Sequence, residues 1–366
     1  MRIGIDCHVL NGKDQGTASV LLNFLEHVPS SHEYFLYSFD TSLTKRLFDR
    51  PQFVHRGLWM KSSFLRIPFL FPYLAAKDKC DFFHFNYYSP PLGINSVILT
   101  VHDLIYLDFP MFSPRIRRLQ FDVLTRLSTR TAKHIITVSE YSKGRIIHHF
   151  RVPDSKISIV PNGLANSWFE PDLKSIASAW LKMRRKLPNR YALMVGRLDP
   201  RKNVPLAARV VRQLVKENLL DGLIVVGPPD FGTNAIFAAM ESDDTLNCVT
   251  HISGLSKIEL QAVYKNAEFL LYLSLAEGFG MPLIEAMAMR TPIIASNRTA
   301  IPEVCGQGGL VVELDDFPGI IGTARRLLSD REMKSQLVER EQERVEHFSA
   351  YRTSQMLSAL YTRLSE

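Results

Sequence analysis

Residues 269–288 read FLLYLSLAEGFGMPLIEAMA and carry the most specific structural pattern in the 366-residue chain. The stretch opens with a continuous apolar run, residues 269–273, which is typical of a strand buried on both faces. Gly278 and Gly280 then allow a tight backbone approach, and Pro282 suits the first turn of a helix. We therefore predict a strand, a loop and a helix whose first amides face an anion or a hydroxyl-rich ligand.

The same alternation of apolar strands and segments of helical period runs along the chain, interrupted by a polar, helix-like connector at residues 172–186. Two such series predict an α/β protein with two Rossmann-like domains, each a doubly wound parallel sheet. Ligands of such sheets bind beyond the carboxyl ends of the strands, so we expect a site in a central cleft that both domains face. The predicted strands are residues 2–6, 34–39, 53–56, 81–85, 96–102, 134–139 and 157–161, then 191–196, 223–227, 248–252, 269–273, 292–295 and 309–313.

Composition and charge narrow the class of protein. The four cysteines are widely spaced without a C-x-x-C pair, which argues against a disulfide scaffold or a structural zinc site and favours a reducing compartment. We expect no secretory signal and no membrane-spanning segment, and hence a cytoplasmic protein, soluble or membrane-peripheral. Residues 1–170 carry 20 Lys and Arg against 14 Asp and Glu, whereas residues 171–366 are nearly neutral. This imbalance fits an anionic membrane, a phosphorylated substrate or a chance surface excess, and no motif indicates nucleic acid.

Two segments of the basic half combine large apolar residues with Lys and Arg. Residues 57–79 are rich in aromatic side chains and carry Lys61, Arg66, Lys77 and Lys79. Residues 113–130 carry five arginines and an apolar pattern of helical period. These segments predict peripheral docking on an anionic membrane, and the alternative is a core helix with a solvated basic face.

Polar residues follow several of the predicted strands. Gly16 precedes the first helix, where backbone amides could approach an anion, although an ordinary turn gives the same pattern. His102 ends the fifth strand and suits a general base, a sugar-hydroxyl contact, a metal ligand or a structural histidine. Arg197 and Lys202 could clamp a diphosphate, the alternative being a solvated basic loop.

The carboxylates of Glu277 and Glu285 are eight residues apart. Eight residues of helix span about 12 Å, more than the roughly 5–9.5 Å that separates a glycosidase pair. The spacing therefore favours two separate ligand contacts.

Four motifs together resemble the retaining glycosyltransferases of family four, which have the GT-B fold. They are EGFGMPLIEA at 277–286, in E-x7-E form, GRLDPRKN at 196–203, TVSEYSK at 137–143 and VPNG at 160–163. The VHDL segment at 101–104 is most similar to bacterial mannosyltransferases of surface-polysaccharide assembly. The resemblance implies a final helix that crosses back to the first domain, giving domains of residues 1–170 with 350–366 and residues 171–349.

The resemblance also implies roles for individual residues in transfer of a sugar from a nucleotide donor. His102, Arg197, Lys202 and Glu277 would be catalytic, with His102 near the anomeric centre and Arg197 and Lys202 on the donor diphosphate. Glu285 would bind the ribose hydroxyls. The Gly16 loop would contact the donor phosphate, and the loops after Gly227 and Ser253 would contact the base. The donor sugar would be held by Glu277 and by the amides of Phe279, Gly280 and Met281.

No two aspartates are separated by one residue, so the D-x-D metal motif of many glycosyltransferases is absent. We expect no metal and no other cofactor, with Arg197, Lys202 and backbone amides meeting the charge of the leaving diphosphate. The expected donor is GDP-mannose, and a UDP-sugar is the second choice. The expected acceptor is a glycan or a polyprenyl-diphosphate-linked oligosaccharide at the inner face of the cytoplasmic membrane. The reaction would belong to lipopolysaccharide or exopolysaccharide synthesis. Alternatives are a soluble acceptor, a nucleotide-sugar epimerase of the same fold, and a non-catalytic donor-binding subunit.

Overall fold

The computed structural model describes residues 1–10, 16–94 and 96–365, apart from the side chain of Arg117. The chain packs into two compact units, Met1–Gly163 with Ala350–Glu366, and Leu164–Ser349. Residues 164–170, which the predicted division gave to the first domain, fall in the second unit. The chain thus leaves the first unit once and returns to it for its final helix.

Both units are built on wholly parallel sheets with the doubly wound strand order. The first sheet has the order β3-β2-β1-β4-β5-β6-β7 and the second β10-β9-β8-β11-β12-β13. All thirteen predicted strands are present, with ends that differ by at most two residues, and the predicted fold class is confirmed. The strands are β1(Arg2–Asp6), β2(Glu33–Ser38), β3(Phe53–Gly57), β4(Phe82–Asn86), β5(Val97–Thr100), β6(His134–Thr137), β7(Ile157–Ile159), β8(Tyr191–Val195), β9(Gly222–Val226), β10(Val249–Ile252), β11(Phe269–Tyr272), β12(Ile293–Ser296) and β13(Leu310–Val312).

Helices cover both faces of each sheet, which explains why the strands are continuous apolar runs. In the first unit, Ile3 and Ile5 of β1 face one buried cluster, whereas Phe83 and Phe85 of β4 face another. The helices are α1(Gly16–Glu26), α2(Thr41–Leu47), α3(Ser63–Leu65), α4(Phe71–Asp78), α5(Ile105–Asp108), α6(Arg115–Thr131), α7(Glu140–Phe150), α8(Asn166–Phe169), α9(Leu173–Met183), α10(Val204–Lys216), α11(Thr233–Ser242), α12(Lys257–Lys265), α13(Met281–Ala288), α14(Ile301–Cys305), α15(Phe317–Ser329), α16(Arg331–Val345) and α17(Ala350–Ser365).

Side chains at helix starts satisfy amides that lack partners within the helix. Asp172, Asp316 and Asp330 accept hydrogen bonds from the first turns of α9, α15 and α16. Ser256 and Glu259 form a reciprocal capping box at α12. In the part of the chain that is described, no helix combines the length and apolar character needed to cross a bilayer.

The last helix, α17, is anchored in the first unit by apolar packing and by a buried hydrogen-bond network. Leu357, Leu360 and Tyr361 pack in the same apolar cluster as β1 and α1. The Tyr361 hydroxyl lies 2.6 Å from Nδ1 of His84, whose Nε2 lies 2.6 Å from Oγ1 of Thr100. Burial lowers the pKa of His84 to about 3, so the ring is neutral and donates to one hydroxyl while accepting from the other. This hydrogen-bond network joins α17 to β4 and β5.

The VPNG motif at 160–163 packs against the first turn of α17. Pro161 O accepts from Oγ1 of Thr353 at 3.1 Å, and Gly163 O accepts from Nδ2 of Asn23 at 2.8 Å. A Cβ on Gly163 would lie 2.7 Å from Cα of Ala350 and 2.9 Å from its backbone nitrogen. Position 163 therefore requires glycine for close approach of two backbone segments.

Gly163→Ala should destabilise the first unit, because the new methyl group meets backbone atoms that cannot rotate away. Overpacking of this kind costs about 1–3 kcal/mol, which lowers the thermal midpoint of a unit of this size by about 2–4 °C per kcal/mol. Thermal unfolding followed by circular dichroism measures the shift.

The matched control is Gly144→Ala in α7, where a Cβ would meet nothing within 4 Å. Alanine is the better helix former, so this variant should be as stable as wild type or up to about 1 kcal/mol more stable. Equal midpoints for Gly163→Ala and wild type would contradict the close contact at Ala350.

Candidate active site

Two glycines bring the loops after β8 and β9 together. Gly196 follows β8 with φ of +144°, and Gly227 follows β9 with φ of +153°. A Cβ on Gly227 would lie 2.0 Å from Gly196 O, so the two loops leave no room for a side chain there. A Cβ on Gly196 would lie 2.7 Å from Cε of Lys202. The space that glycine leaves at position 196 is filled by the Lys202 side chain.

Lys202 is buried and makes two polar contacts. It closes a short 3₁₀ turn, Pro200–Lys202, whose start is capped by Asp199 accepting from the Arg201 amide at 2.9 Å. The ammonium donates to Oε1 of Glu277 at 2.7 Å and to the Tyr272 hydroxyl at 3.1 Å. It also lies 4.9 Å from the centre of the Tyr272 ring, a favourable cation–π distance. The loop after β8 thus delivers one fixed cation to the end of β11.

Glu277 is buried between two cations. Arg201 donates from Nη1 to Oε2 of Glu277 at 2.7 Å and to Ala276 O at 3.0 Å. The Glu277 amide donates to Oγ1 of Thr299 at 2.8 Å. Burial by itself would raise the pKa of Glu277, but the charges of Arg201 and Lys202 outweigh it and lower the pKa to about 2. The cluster therefore holds two cations around the carboxylate of Glu277, and Asp199 adds a second carboxylate, whose Oδ2 lies 3.4 Å from Nη2 of Arg201.

The cluster lies at the topological switch point of the second sheet. β8 has β9 on one side and β11 on the other, so successive connections leave the β8–β11 pair in opposite directions. Lys202 follows β8 and Glu277 follows β11. In open α/β sheets the crevice for ligands opens at this point, beyond the carboxyl ends of the strands.

The glycine-rich loop of residues 277–280 leads into α13 as predicted. Gly280 has φ of +106° and precedes Met281, the half-buried first residue of the helix, and Pro282 lies in the first turn. Phe279 is buried and packs edge-on against Phe348, with ring centres 5.5 Å apart. This packing fixes the loop immediately before the helix.

Glu285 is placed on the same helix but has a different environment from Glu277. It is half-buried, and its Oε2 accepts from the Tyr264 hydroxyl at 2.8 Å. Burial raises the pKa of Glu285 to about 6, because the Tyr264 hydrogen bond and the more distant charges of Lys202 and Lys257 compensate only in part. Glu285 therefore changes charge close to neutral pH.

The remaining predicted donor contacts of the second unit lie outside the buried cluster. Arg197 is half-exposed and its Nη1 lies 3.2 Å from Oδ2 of Asp230. Ser253 follows β10 and is exposed. Sequence reasoning did not assign roles to Arg201 and Tyr272. Two signals in the sequence were available: Arg201 lies inside the GRLDPRKN motif, and Tyr272 lies at the carboxyl end of its strand.

His102 lies beyond the carboxyl end of β5 in the first unit. Its Nε2 is 3.1 Å from Oδ1 of Asn86, and its ring centre is 5.5 Å from that of Tyr87. Burial lowers the pKa of His102 to about 4, so the ring is neutral at pH 7. Because an amide oxygen only accepts, Nε2 carries the proton and Nδ1 is the acceptor nitrogen.

The TVSEYSK motif at 137–143 supports His102 from the neighbouring strand. Oγ1 of Thr137 donates to Val101 O at 2.8 Å, and Oγ of Ser142 donates to His102 O at 3.0 Å. Ser139 caps α7 by accepting from the Ser142 amide at 3.1 Å. The motif therefore fixes the backbone of His102.

A pocket of about 60 Å³ opens beside His102. Its polar lining includes His84, Asn86, Thr100 and Asn162, and its apolar lining comes largely from α1 and α17. Gly16 begins α1, but residues 11–15, including Gln15 of the predicted phosphate loop, lie outside the described residues. Among residues 1–10, 16–94 and 96–365, no three His, Cys, Asp or Glu side chains are grouped to hold a metal ion.

Two doubly wound units, one with a buried ion-pair cluster at its switch point, are the arrangement expected of a GT-B glycosyltransferase. Two family models match the chain, Glycosyltransferase Family 4 over residues 15–166 and Glycosyl transferases group 1 over residues 182–344. The chain belongs to these glycosyltransferases, and the predicted family is confirmed.

Known proteins similar to the chain agree with this assignment. It is 27% identical to O-antigen chain mannosyltransferase B of Escherichia coli over 70% of this chain and 68% of that protein. It is 29% identical to the GDP-mannose:cellobiosyl-diphosphopolyprenol alpha-mannosyltransferase of Komagataeibacter xylinus over 65% of this chain and 58% of that protein. The structure of Anabaena HepE in complex with UDP and glucose has a TM-score of 0.76 at 15% identity, covering 99% of this chain and 100% of that one, which shows the shared fold.

Glu277→Gln should destabilise the second unit, because it leaves the buried Lys202 without a counter-charge and Arg201 with only the carboxylate of Asp199, at 3.4 Å. Removing one partner of a buried ion pair costs about 3–5 kcal/mol, and the retained amide should keep the loss near the lower value. Thermal unfolding of the full chain measures it.

The control is Glu268→Gln, which breaks a partly exposed pair with Lys334 at 3.0 Å. Partly exposed pairs contribute less than about 1 kcal/mol. If the two variants unfolded at the same temperature, Glu277 would not be the counter-ion of a buried cluster.

Proposed function

We propose that this glycosyltransferase moves mannose from GDP-mannose, with retention of the anomeric configuration, to a glycan or polyprenyl-diphosphate-linked acceptor in bacterial surface-polysaccharide synthesis. The observation that carries the proposal is the buried Lys202–Glu277–Arg201 cluster at the switch point of the second sheet. Lysine and arginine side chains that are already fixed at that position suit a nucleoside diphosphate.

Lys202 is the residue to which we assign stabilisation of the leaving diphosphate. Negative charge grows on the β-phosphate as the sugar departs, and a cation already fixed in a buried site stabilises that charge without reorganising. Tyr272 and Glu277 provide the fixing contacts, at 3.1 and 2.7 Å. Arg197 is half-exposed and releases Asp230 to close on the diphosphate with its planar fork.

Glu277 and the amides of residues 279–281 are assigned to the donor sugar, and Glu285 to the ribose. An ionised carboxylate accepts hydrogen bonds from sugar hydroxyls, and the pKa of Glu277, lowered to about 2, keeps it ionised throughout the physiological range. Glu285 acts in the same way only when deprotonated. The contacts of His102 and of the Gly16 loop with the donor stay predictions.

Retention follows if the departing phosphate accepts the proton of the acceptor hydroxyl on the same face of an oxocarbenium-like sugar. This route needs no protein nucleophile. A double displacement is the competing route, and trapping of a glycosyl-enzyme would support it.

The choice of donor and acceptor comes from the similar proteins. The names of the two relatives specify mannosyl transfer, and one of them specifies GDP-mannose with a diphosphopolyprenol-linked acceptor. UDP-sugars are the second choice because the HepE structure contains UDP and glucose.

The decisive experiment incubates the full chain with a panel of GDP- and UDP-sugars and a polyprenyl-diphosphate-linked glycan, then separates glycan products by mass. Transfer of one hexose from GDP-mannose, unchanged by EDTA, is the expected result. Epimerised free nucleotide sugar, donor binding without any turnover, or loss of activity in EDTA with rescue by magnesium would each contradict the proposal.

Lys202→Ala should reduce transfer at least on the order of 10²-fold, because the leaving diphosphate loses a preorganised cation. Arg197→Ala should also reduce transfer on that order, but without loss of stability, since Arg197 is half-exposed. Initial rates and thermal midpoints of both variants are the measurements, and Arg190→Ala, a partly exposed arginine of the same unit, is the control. Wild-type rates in Lys202→Ala would contradict the assignment.

Affinity for GDP-mannose should fall as the pH decreases through about 6, because the pKa of free Glu285 is raised to about 6 and its protonated form loses acceptor capacity. The diphosphate diester of the donor does not change its protonation in this pH range, so the change in affinity comes from the enzyme. Calorimetric titration from about pH 5 to about pH 8 measures this change in affinity.

Glu285→Gln should bind GDP-mannose more weakly and without this pH dependence, whereas Glu277→Gln should mainly lose transfer rate. All titrations are made below the unfolding midpoint of each variant. A pH dependence that persists in Glu285→Gln would contradict the role of Glu285 in donor binding.

A further inference from the structure

Helix α6(Arg115–Thr131) has its apolar side turned outward. Ile116, Leu119, Val123 and Leu127 recur at helical spacing and are 74%, 63%, 48% and 45% exposed. At 100° per residue the four side chains form one narrow stripe along the helix. The sequence predicted the same helix with its apolar side buried as one alternative, and the described side chains contradict that alternative.

The inward side of α6 carries buried hydroxyl groups and the half-buried ring of Phe121. Thr125, Ser128 and Thr129 are fully buried. The Ser128 hydroxyl accepts from the Ser89 amide at 2.9 Å, and the Tyr106 hydroxyl donates to Oγ1 of Thr125 at 3.3 Å. Hydroxyl groups and the Phe121 ring, which packs against three tyrosines, thus hold the helix to the unit, and the apolar stripe is left for an external partner.

The same unit carries a second group of exposed apolar side chains, and it consists of Trp59, Phe64, Leu65, Phe69, Tyr73 and Leu92. The segment of residues 89–93 contacts both helices, because the Ser89 amide donates to Ser128 of α6 at 2.9 Å and Gly93 lies against Pro72 of α4. Of the apolar residues in segment 57–79, Ile67, Leu70, Phe71 and Leu74 are buried in the core instead. We call the stripe of α6 and this group the apolar face.

The charges around the apolar face are positive, because the acids nearby are already paired. Asp78 is buried and bound by Arg56 at 2.8 Å, and Asp122 binds Arg126 at 3.1 Å. Arg66, predicted among the outward charges, is itself buried. The exposed basic residues are Lys61, Lys77, Lys79, Arg115 and Arg130.

We infer that the apolar face docks on an anionic lipid bilayer, with its aromatic and aliphatic side chains in the interface and its basic residues over the headgroups. Interfacial helices combine these features, an apolar stripe and flanking Lys or Arg. A soluble protein partner would need matching acids, whereas an anionic leaflet supplies negative charge over the whole face. The inference is independent of the donor and acceptor proposed above.

Sedimentation of the full chain with lipid vesicles tests the inference. Anionic vesicles, made of equal parts of phosphatidylglycerol and phosphatidylcholine, are compared with vesicles of phosphatidylcholine alone, each at low and high salt. The wild type should bind the anionic vesicles, and high salt should weaken this binding. Leu119→Asp should lower the partition coefficient at least on the order of tenfold. The double variant Arg115→Gln with Arg130→Gln should lower it about fivefold per charge on anionic vesicles only.

Leu181→Asp is the matched control, because Leu181 is an equally exposed leucine of α9 in the second unit, at 60%. It should bind vesicles like the wild type, and GDP-mannose affinity should be unchanged in Leu119→Asp. Absence of vesicle binding, or equal binding by Leu119→Asp and wild type, would overturn the inference. Concentration-dependent dimers in light scattering that Leu119→Asp abolishes, without vesicle binding, would overturn it in favour of a second copy of the chain.

Discussion

The site of the second unit depends on one constraint, that the buried carboxylate of Glu277 must be paired. An unpaired charge in such a place would cost several kcal/mol. Its partners Lys202 and Arg201 come from the loop after β8, which lies beside β11 in the sheet, so the strand order determines the pair. Lys202 reaches Glu277 only because residue 196 has no side chain. Strand order, glycine position and ion pair are therefore parts of one arrangement.

This dependence explains what the sequence could and could not predict. Apolar runs flanked by helical segments located the strands, and the pattern is clearest in β9 and β11, which are buried along their whole length. The edge strands β3 and β10 are only half-buried and less apolar. The same reasoning located Lys202 and Glu277 by their positions after strands. It could not pair them, because they are 75 residues apart and meet only through the order of β8 and β11. Arg197 and Arg201 are equivalent in the sequence, and only the structure shows Arg201 turned inward and Arg197 turned toward Asp230.

Periodicity was informative about α6 but could not orient it. A spacing of three and four residues shows that apolar side chains share one side of a helix, and it does not show which side faces the core. In the structure the inward side is held by the hydroxyl groups of Ser128 and Thr125, which bond to Ser89 and Tyr106, and by the ring of Phe121. Such bonds join residues distant in the chain, and no local pattern records them.

Burial has opposite consequences for the charge states of three site residues. Glu277 stays ionised because two cations outweigh burial, and the pKa of Glu285 rises to about 6 because its near neighbour is a hydroxyl. The pKa of His102 falls to about 4 beside the amide of Asn86. Under the proposed function, the two residues assigned nearest the reacting sugar, Glu277 and His102, are therefore both weak bases at neutral pH. Since a general base works best with a pKa near the working pH, the departing phosphate is the better acceptor for the proton of the incoming hydroxyl.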